Sequence, residues 1–579
     1  MLHKKISRRT LLGSAGVAGL AACAPKDAAR LSSERPASRG LFAHGIASGD
    51  PLSNAVILWT RITPENPNAG PVEILWEMSE TDNFETLAAN GTGTAQAASN
   101  WTFKVDAQNL TAGTTYYYRF TAGETSSPTG VTNTLPEGAL DKARFAVVSC
   151  SNWQHGYFNA YDHIARQDHF DAVLHLGDYY YEYAAEDYAD PKMLDVGRVH
   201  EPRHEIISLE DYRIRHAQYR TDPSLQAMTA KLPLITIWDD HETSNDSWKG
   251  GAENHGNNEG EGSWDSRKQA AMRAYYEWMP IRDPQAGKAR ETLFRHIEYG
   301  DLLSLITVET RLNARAEPLI IENYVDEITA PGGDEKFKAE ILGDPKREMY
   351  GQVQEDFIVD ELSRSKEDGK AWRILANQVI MGRLSTADLT PHVNEDAVQA
   401  IEKNWAGIRD FITLSKYSVP VYPDSWDGYP HARDHFYDRL VENDVRDIMV
   451  LTGDAHEFWA NHLTAKDGKQ IGVEFVTSSV SSETLTAYLG DGTADYALLL
   501  TQSNEDARYY NPLHNGYNDI TFTRRNATVR MIGISDVSTR TYSAFDVASF
   551  VVKPNKGSLS IGSPKGLNLK QRALFSGLG

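Results

Sequence analysis

The stretch RFAVVSCSN, from Arg144 to Asn152, is an apolar β-type run that ends in a small polar loop. The chain has two cysteines, and Cys150 in this loop is the only one outside the first 24 residues. Other apolar runs end in Gly177-Asp178, in Asp239-Asp240-His241-Glu242 and in Gly453-Asp454-Ala455-His456. Polar side chains at the carboxyl ends of parallel strands meet at one edge of a sheet. A thiol, carboxylates and imidazoles converging there predict a metal site.

Apolar runs alternate with helix-like stretches from about residue 140 onward. This pattern predicts an α/β domain with at least one mixed sheet over 138–560, followed by a C-terminal tail at 561–579. Two late runs, 516–524 and 527–533, are candidates for a second sheet. The other predicted strands are 144–149, 172–177, 232–238, 302–308, 372–376, 446–452 and 471–477, and the predicted helices include 208–220, 264–278, 350–364 and 433–443.

The segment 40–137 has a different pattern, with short strands such as 56–60 and an alternating run at 101–105. The turn before Tyr116 resembles the tyrosine corner of fibronectin-type sandwiches. We therefore expect a seven-strand β-sandwich of roughly 95 residues, preceded by a polar linker at 25–39. The sandwich sequence contains no cluster of ligand-type side chains, so its expected role is packing or substrate access.

Residues 1–24 predict an export signal. Ser7-Arg8-Arg9-Thr10-Leu11-Leu12 is a twin-arginine pattern, and the apolar stretch that follows it is too short to span a membrane. Leu20-Ala21-Ala22-Cys23 matches a bacterial lipobox, so one alternative is a lipidated Cys23; the other is ordinary cleavage in this alanine-rich stretch. The sequence predicts export by the twin-arginine machinery to the periplasm or the extracellular space, either as a membrane-anchored lipoprotein or without the anchor.

The overall charge argues against one class of partner. The formal net charge is −22, from 58 basic and 80 acidic residues, and no basic stripe with interleaved aromatic residues occurs, so we expect no nucleic-acid-binding surface. An acidic protein still binds an anionic substrate where metal ions set the local field. Beyond the signal only Cys150 remains as a thiol, which excludes an intrachain disulfide and leaves burial or metal ligation as its role.

The three acidic clusters differ in what they indicate on their own. Gly177-Asp178 alone is compatible with a simple β-turn, although a carboxylate projecting there can bridge two cations. In Asp239-Asp240-His241-Glu242 the three carboxylates would repel one another without a cation. Asp454 and His456 have i, i+2 spacing, which places both side chains on one side of an extended backbone. Together with Cys150, these clusters predict a shared metal centre.

The whole pattern resembles the metallophosphoesterases and, more narrowly, the PhoD-type alkaline phosphatase family. The resemblance spans nearly the whole chain after the signal. The motifs that carry it occur in the expected order: HGIASGDP (44–51), VILWTR (56–61), SCSN (149–152), LGDYYYE (176–182), LEDYR (209–213), WDDHE (238–242), WDGYP (426–430) and LTGDAH (451–456). It implies an N-terminal β-sandwich followed by a large α/β metallophosphoesterase-like sandwich domain.

The resemblance also implies a set of metal ligands. Family members hold one ferric ion (Fe³⁺) and calcium (Ca²⁺); thiolate and phenolate suit the ferric ion, and carboxylates suit calcium. By motif match, the expected metal-site residues are Cys150, Asp178, Tyr212, Asp240 and either Asp454 or His456, with Asp239 as a further candidate.

Three other residues are expected to act on the phosphate. The resemblance implies that Asn152 and His241 help to hold phosphate or the neighbouring ligands. Glu309-Thr310-Arg311 stands where the family has Asp-x-Arg. Arg311 is therefore expected to clamp phosphate with an altered orienting partner.

The predicted function is that of an alkaline phosphatase and phosphodiesterase in which a water deprotonated at the metal centre attacks phosphorus. The expected substrates are small-molecule phosphate esters, with phospholipids or teichoic-acid-like polymers as further alternatives. A second hypothesis is a phospholipase D-like phosphodiesterase on the same scaffold. A third is a non-catalytic surface protein stabilised by calcium; Cys150 argues against it, because structural calcium sites do not use thiolate.

Overall fold

The computed structural model describes residues 28–66, 70–256, 260–403, 405–489, 493–555 and 557–565. The predicted export signal and most of the predicted C-terminal tail lie outside these residues. Within the described ranges, no helix is both long enough and apolar enough to cross a membrane.

The described strands are β1 (Leu31–Ser32), β2 (Ile46–Gly49), β3 (Ala55–Arg61), β4 (Val72–Ser79), β5 (Ala89–Ala95), β6 (Thr102–Gln108), β7 (Thr115–Ala122), β8 (Thr125–Ser126), β9 (Gly130–Asn133), β10 (Lys142–Val148), β11 (Ala172–His175), β12 (Leu234–Thr236), β13 (Arg295–Tyr299), β14 (Leu303–Thr307), β15 (Trp372–Ala376), β16 (Ile448–Thr452), β17 (Phe458–Thr464), β18 (Gln470–Val476), β19 (Ala507–Asn511), β20 (Gly516–Thr523), β21 (Ala527–Ile534), β22 (Thr541–Tyr542), β23 (Ala544–Asn555) and β24 (Ser558–Ile561).

The described α-helices are α1 (Asn159–Ala165), α2 (Pro191–Asp195), α3 (Leu209–Tyr219), α4 (Pro223–Lys231), α5 (Trp264–Trp278), α6 (Val325–Thr329), α7 (Gly333–Lys336), α8 (Gln352–Glu367), α9 (Glu395–Glu402), α10 (Ile408–Ser415), α11 (Pro430–Glu442), α12 (Thr486–Leu489) and α13 (Thr493–Ser503).

Two mixed sheets pack face to face around the central core. The first sheet has the order β24-β23-β21-β20-β10-β11-β12-β2-β3-β6, and the second has the order β13-β14-β15-β16-β18-β17-β19. In the first sheet β10, β11 and β12 are parallel, and in the second β14, β15, β16 and β18 are parallel. Rings meet across the interface: Phe145 lies 4.9 Å from Tyr299, and Trp372 lies 5.4 Å from Phe522 between ring centroids.

Helices cover the outer faces of both sheets. Successive side chains of a strand point to opposite faces, so Ala146 and Val148 face away from the central core and pack with residues of α1, α3, α4 and α5. On the second sheet Ile448 and Val450 pack with residues of α8 and α11. The result is a four-layer α/β/β/α arrangement, and burial on both faces accounts for the continuous apolar runs in the sequence.

The N-terminal sandwich shares a sheet with the rest of the protein. Its separate sheet contains β4, β5, β7, β8 and β9, while β2, β3 and β6 continue the first central sheet beside β12. The junction is close: a Cβ at Gly49 would lie 2.6 Å from Leu234 O. Tyr116 accepts a hydrogen bond from Thr111 N–H at 2.9 Å, as expected for a tyrosine corner.

Two terminal segments pair with the central part of the chain. In the segment predicted to be a linker, Leu31 pairs with Tyr542, and Arg35 forms an ion pair with buried Asp162. The late strands β20 and β21 extend the first sheet beside β10 instead of forming a second sheet. Lys565, in the predicted tail, forms a β-bridge with Ser549.

Candidate metal centre

The predicted strand-end residues converge where the two central sheets meet. Cys150 N–H donates to Gly177 O at 3.2 Å, which ties the loop after β10 to the loop after β11. The hydroxyl of Thr477, just after β18 in the second sheet, donates to Val147 O in the first at 2.9 Å. The loops that follow β10, β11, β12 and β16 therefore surround one site.

Three groups of ligand-type side chains lie in this site, each with its ligand atoms within 4.8 Å of one another. Asp178 belongs to the first two groups, and Asp240 belongs to the last two. The shared carboxylates join the three positions into one cluster. The groups are Cys150 with Asp178 and His456; Asp178 with Asp240 and His241; and Asp239 with Asp240 and Asp454.

Four of these residues have a left-handed backbone. The φ angles are 61° at Cys150, 54° at Asp178, 60° at Asp454 and 62° at His456. Non-glycine residues seldom adopt this conformation, which costs about 1–3 kcal/mol each and recurs at functional sites. Four of the seven residues that present ligand atoms therefore have a strained backbone.

Two glycines allow the loops to approach one another. Gly177 has a φ of 100°, and a Cβ on it would lie 2.3 Å from the Asp239 Cβ. A Cβ on Gly453 would lie 2.9 Å from the Ser149 Cβ. Both Gly-Asp pairs therefore need glycine for close packing between loops, and Gly177 also needs it for its left-handed backbone.

The electrostatics of the cluster suit a cation. Three buried carboxylate oxygens, Asp178 Oδ1, Asp239 Oδ2 and Asp240 Oδ1, have no hydrogen-bond partner among the described residues. Burial and the neighbouring carboxylates raise the pKa of Asp178 and of Asp239. Burial and the charge of Asp178 likewise raise the pKa of the Cys150 thiol. Buried anionic oxygens without a partner are costly, so oxygen, sulfur and nitrogen donors in this arrangement fit metal ions.

The hydroxyl of Tyr181 reaches this cluster. Its hydroxyl donates to Asp178 Oδ2 at 3.0 Å, lies 3.2 Å from His456 Nε2 and accepts from Ser482 Oγ at 2.7 Å. The sequence reasoning missed it, because the run Tyr179-Tyr180-Tyr181 does not show which ring faces the site. Tyr180, for example, turns away and donates to Glu242 O.

The structure places Tyr212 outside the three groups. Tyr212 lies on α3, and its hydroxyl donates to Thr243 O at 2.6 Å and accepts from Arg267 Nε at 3.1 Å. Arg267, on α5, also donates to Asn254 O at 3.0 Å. Tyr212 therefore stabilises the turn that follows Asp240 through its hydrogen bond to Thr243 O.

Two glutamates hold the ligand loops in place. Glu182, which the sequence reasoning did not select, accepts from His241 Nδ1 at 2.7 Å and from Asn245 N–H at 2.8 Å. Burial lowers the pKa of His241, but the charges of Asp240, Asp178 and Glu182 outweigh burial and raise it. Glu242 accepts N–H bonds from Tyr179 at 2.7 Å and Asp239 at 2.9 Å. Glu182 thus fixes the imidazole as carboxylates do beside metal-bound histidines, and Glu242 ties the backbones of two ligand loops together.

Arg311 is buried among carboxylates beside the third group. Its guanidinium donates to Asp239, to Asp424 at 2.6 Å and to Asp454 at 3.1 Å. Glu309 contacts the backbone of Arg311 instead, accepting its N–H at 2.9 Å. Glu309, the acid at the Asp-x-Arg position, therefore holds the loop backbone. The guanidinium is oriented by Asp424, which the sequence motifs did not reveal.

Asn152 lies in the loop after β10 and is fully buried. Its side-chain oxygen accepts from Gln154 N–H at 2.8 Å, and its carbonyl accepts from Ser481 Oγ at 2.8 Å. The serine-rich segment 478–482 also contacts His456, whose carbonyl accepts from Ser478 Oγ at 2.8 Å. This segment follows β18 and forms a supporting wall that the sequence reasoning did not identify.

Comparison with known proteins covers both parts of the fold. The PhoD-like phosphatase family matches residues 145–531, and the N-terminal domain of the PhoD-like phosphatases matches residues 26–136. Alkaline phosphatase D of Bacillus subtilis (strain 168) is 34% identical over 454 residues, covering 76% of this chain and 69% of that protein. A solved structure described as the structure of PhoD is 29% identical, covers 94% of this chain and 98% of its own, and superposes with a TM-score of 0.72.

Proposed function

The chain belongs to the PhoD-like phosphatase family and is a phosphoric ester hydrolase, and we propose that it hydrolyses phosphomonoesters and phosphodiesters at the metal centre around Asp178. One observation carries the proposal. Asp178 is shared by two ligand groups and has a buried oxygen with no hydrogen-bond partner among the described residues. A carboxylate in that position suits two cations at once.

The proposed ligands follow from the donor chemistry of each group. Cys150, Tyr181 and His456, with Asp178, would hold a ferric ion, because thiolate and phenolate suit that ion. The oxygen-rich groups would hold calcium, which accepts several carboxylate ligands in flexible geometry. We propose Tyr181 for the phenolate ligand, the role that the family resemblance implies for Tyr212. Bound cations would act as Lewis acids that lower the pKa of a coordinated water and neutralise phosphoryl charge.

The residues of the chain would position and shield this chemistry. Glu182 holds the His241 ring, and Ser482 donates to the Tyr181 hydroxyl, so both side chains keep fixed orientations. Arg311 keeps Asp239 and Asp454 together and adds positive charge beside the third group, where it would favour a phosphoryl group. Positioning by buried, fixed dipoles is the main way in which such sites stabilise developing charge.

Calcium removal is expected to abolish hydrolysis. Asp239, Asp240 and Asp454 offer a group of oxygen ligands. Ca²⁺ accepts such ligands in flexible geometry, whereas Mg²⁺ requires a tight octahedron. A calcium chelator should therefore abolish activity. Adding Ca²⁺ back should restore it, and adding Mg²⁺ should restore much less. The assay uses one chromogenic phosphomonoester and one phosphodiester. Full activity on both esters after exhaustive chelation would remove calcium from the proposal.

Export is expected to depend on the twin-arginine pattern. Arg8→Lys combined with Arg9→Lys should leave the protein in the cytoplasm, because the export receptor reads both guanidinium groups. Cys23→Ala should release a membrane-held protein to the soluble fraction if the lipobox is used. Cell fractionation and immunoblotting measure both effects. A wild-type protein that already fractionates as soluble contradicts lipidation and leaves the twin-arginine proposal standing.

A further inference from the structure

His155 is a buried histidine in the wall of the site that no motif had singled out. It lies five residues after Cys150, in the loop that follows β10. Its ring centroid is 4.4 Å from that of Tyr188, whose own ring is 5.9 Å from Tyr181. Burial and, second to it, the charge of His456 lower the pKa of His155 to about 3. These neighbours place His155 beside the Cys150–Asp178–His456 group.

The His155 side chain has no hydrogen-bond partner in the described part of the chain. Neither Nδ1 nor Nε2 forms a hydrogen bond, although the residue is only 4% exposed. The nearest acid, Glu483 Oε1, is 3.9 Å from Nε2, which is beyond hydrogen-bond reach. Leaving buried polar groups unpaired costs about 1–3 kcal/mol. Both ring nitrogens of His155 can therefore take a ligand as a hydrogen-bond partner.

The surrounding loop holds His155 in place through other residues. Gln154 donates to Ala184 O at 3.2 Å and to Asp187 O at 3.0 Å, and Trp153 N–H donates to Tyr219 OH at 2.9 Å. The Glu483 carbonyl accepts from His456 Nδ1 at 2.9 Å. The loop is therefore anchored through Trp153 and Gln154 without the His155 ring, which leaves the ring available to a ligand.

We propose that His155 donates a hydrogen bond to the phosphoryl group of the bound substrate, beside the Cys150–Asp178–His456 group. The inference rests on the proposed function, because it needs a phosphate ester at the metal centre. An imidazole N–H that is buried and held in place needs little reorganisation to meet a phosphoryl oxygen. A hydrogen bond to a charged group is worth more than one to a neutral group.

The test compares His155→Ala and His155→Gln with the wild type, all loaded with metal. The measured quantities are kcat, KM, metal content and the inhibition constant of inorganic phosphate. His155→Ala should lower kcat/KM and weaken phosphate inhibition by roughly tenfold to a hundredfold, with the metal content unchanged. His155→Gln keeps an N–H donor and most of the volume, so it should retain more activity and stays informative if the alanine variant fails to fold.

His169→Ala is the matched control, because His169 precedes β11 and so lies at the opposite end of that strand from Asp178. It should keep kcat/KM within about twofold. Unchanged phosphate inhibition in both His155 variants would overturn the inference, as would loss of metal in parallel with loss of activity. A metal-loaded wild type that cleaves no phosphate ester would contradict the proposed function instead, and calorimetric titration with inorganic phosphate would then decide the role of His155 alone.

Discussion

Asp178→Asn is expected to lower the turnover of phosphate esters by more than about a hundredfold. Asp178 contributes to two of the three ligand groups, and its Oδ2 accepts from Tyr181. The amide removes the negative charge that both cations would share, while the volume of the side chain hardly changes. Thermal stability in the presence of metal should also fall, because binding to the folded state would be weaker. The measurements are steady-state kinetics and thermal unfolding with and without metal.

Asp171→Asn is the matched control for this prediction. Asp171 precedes β11 and accepts from Arg144 N–H at 2.7 Å, whereas Asp178 follows the same strand. The same substitution at the far end of the strand should leave turnover within a few-fold of the wild type. Near-normal turnover in Asp178→Asn would contradict the assignment of the bridging carboxylate.

Tyr181→Phe is expected to remove the colour that a phenolate gives to a bound ferric ion and to lower activity at least about tenfold. The Tyr181 hydroxyl lies at the Cys150–Asp178–His456 group, with its oxygen 3.0 Å from Asp178 Oδ2. Visible absorption of the purified, iron-loaded protein measures the charge-transfer band directly. Activity on a phosphomonoester gives the second readout.

Tyr212→Phe provides the comparison. Its hydroxyl is occupied by Thr243 O and Arg267, so its loss should reduce stability by about 1–2 kcal/mol and leave the absorption band in place. Loss of the band in Tyr212→Phe together with its retention in Tyr181→Phe would reverse the assignment. Comparing the two variants separates a metal ligand from a supporting residue, because a change in stability alone does not remove the absorption band.

The central strands were predictable because they are buried on both faces. Each parallel strand of such a sheet is a continuous apolar run, and each run ends in polar residues at one edge. The sequence therefore located β10, β11, β12 and β16 to within two residues at each end. The residues of the three ligand groups follow these strands directly, so their convergence could also be predicted.

Long-range contacts account for what the sequence did not reveal. The orientation of Tyr181 depends on Ser482, which is 301 residues away, and that of Arg311 depends on Asp424, 113 residues away. The sharing of a sheet between the sandwich and the central domain depends on one paired position, Gly49 with Leu234. Propensity and local spacing carry no information about such pairings. Tyr212 matches a family motif, but its long-range contacts with Thr243 and Arg267 keep its hydroxyl away from the ligand groups.

Quantitative metal analysis of the purified protein, made alongside hydrolysis of a phosphomonoester and a phosphodiester, tests the central claim most directly. The wild type is predicted to contain iron and calcium in fixed ratio to protein, to be coloured and to cleave both esters. Asp178→Asn should lose metal and activity together. An active, colourless wild type that contains only zinc, or a metal-free protein with full activity, would contradict the account.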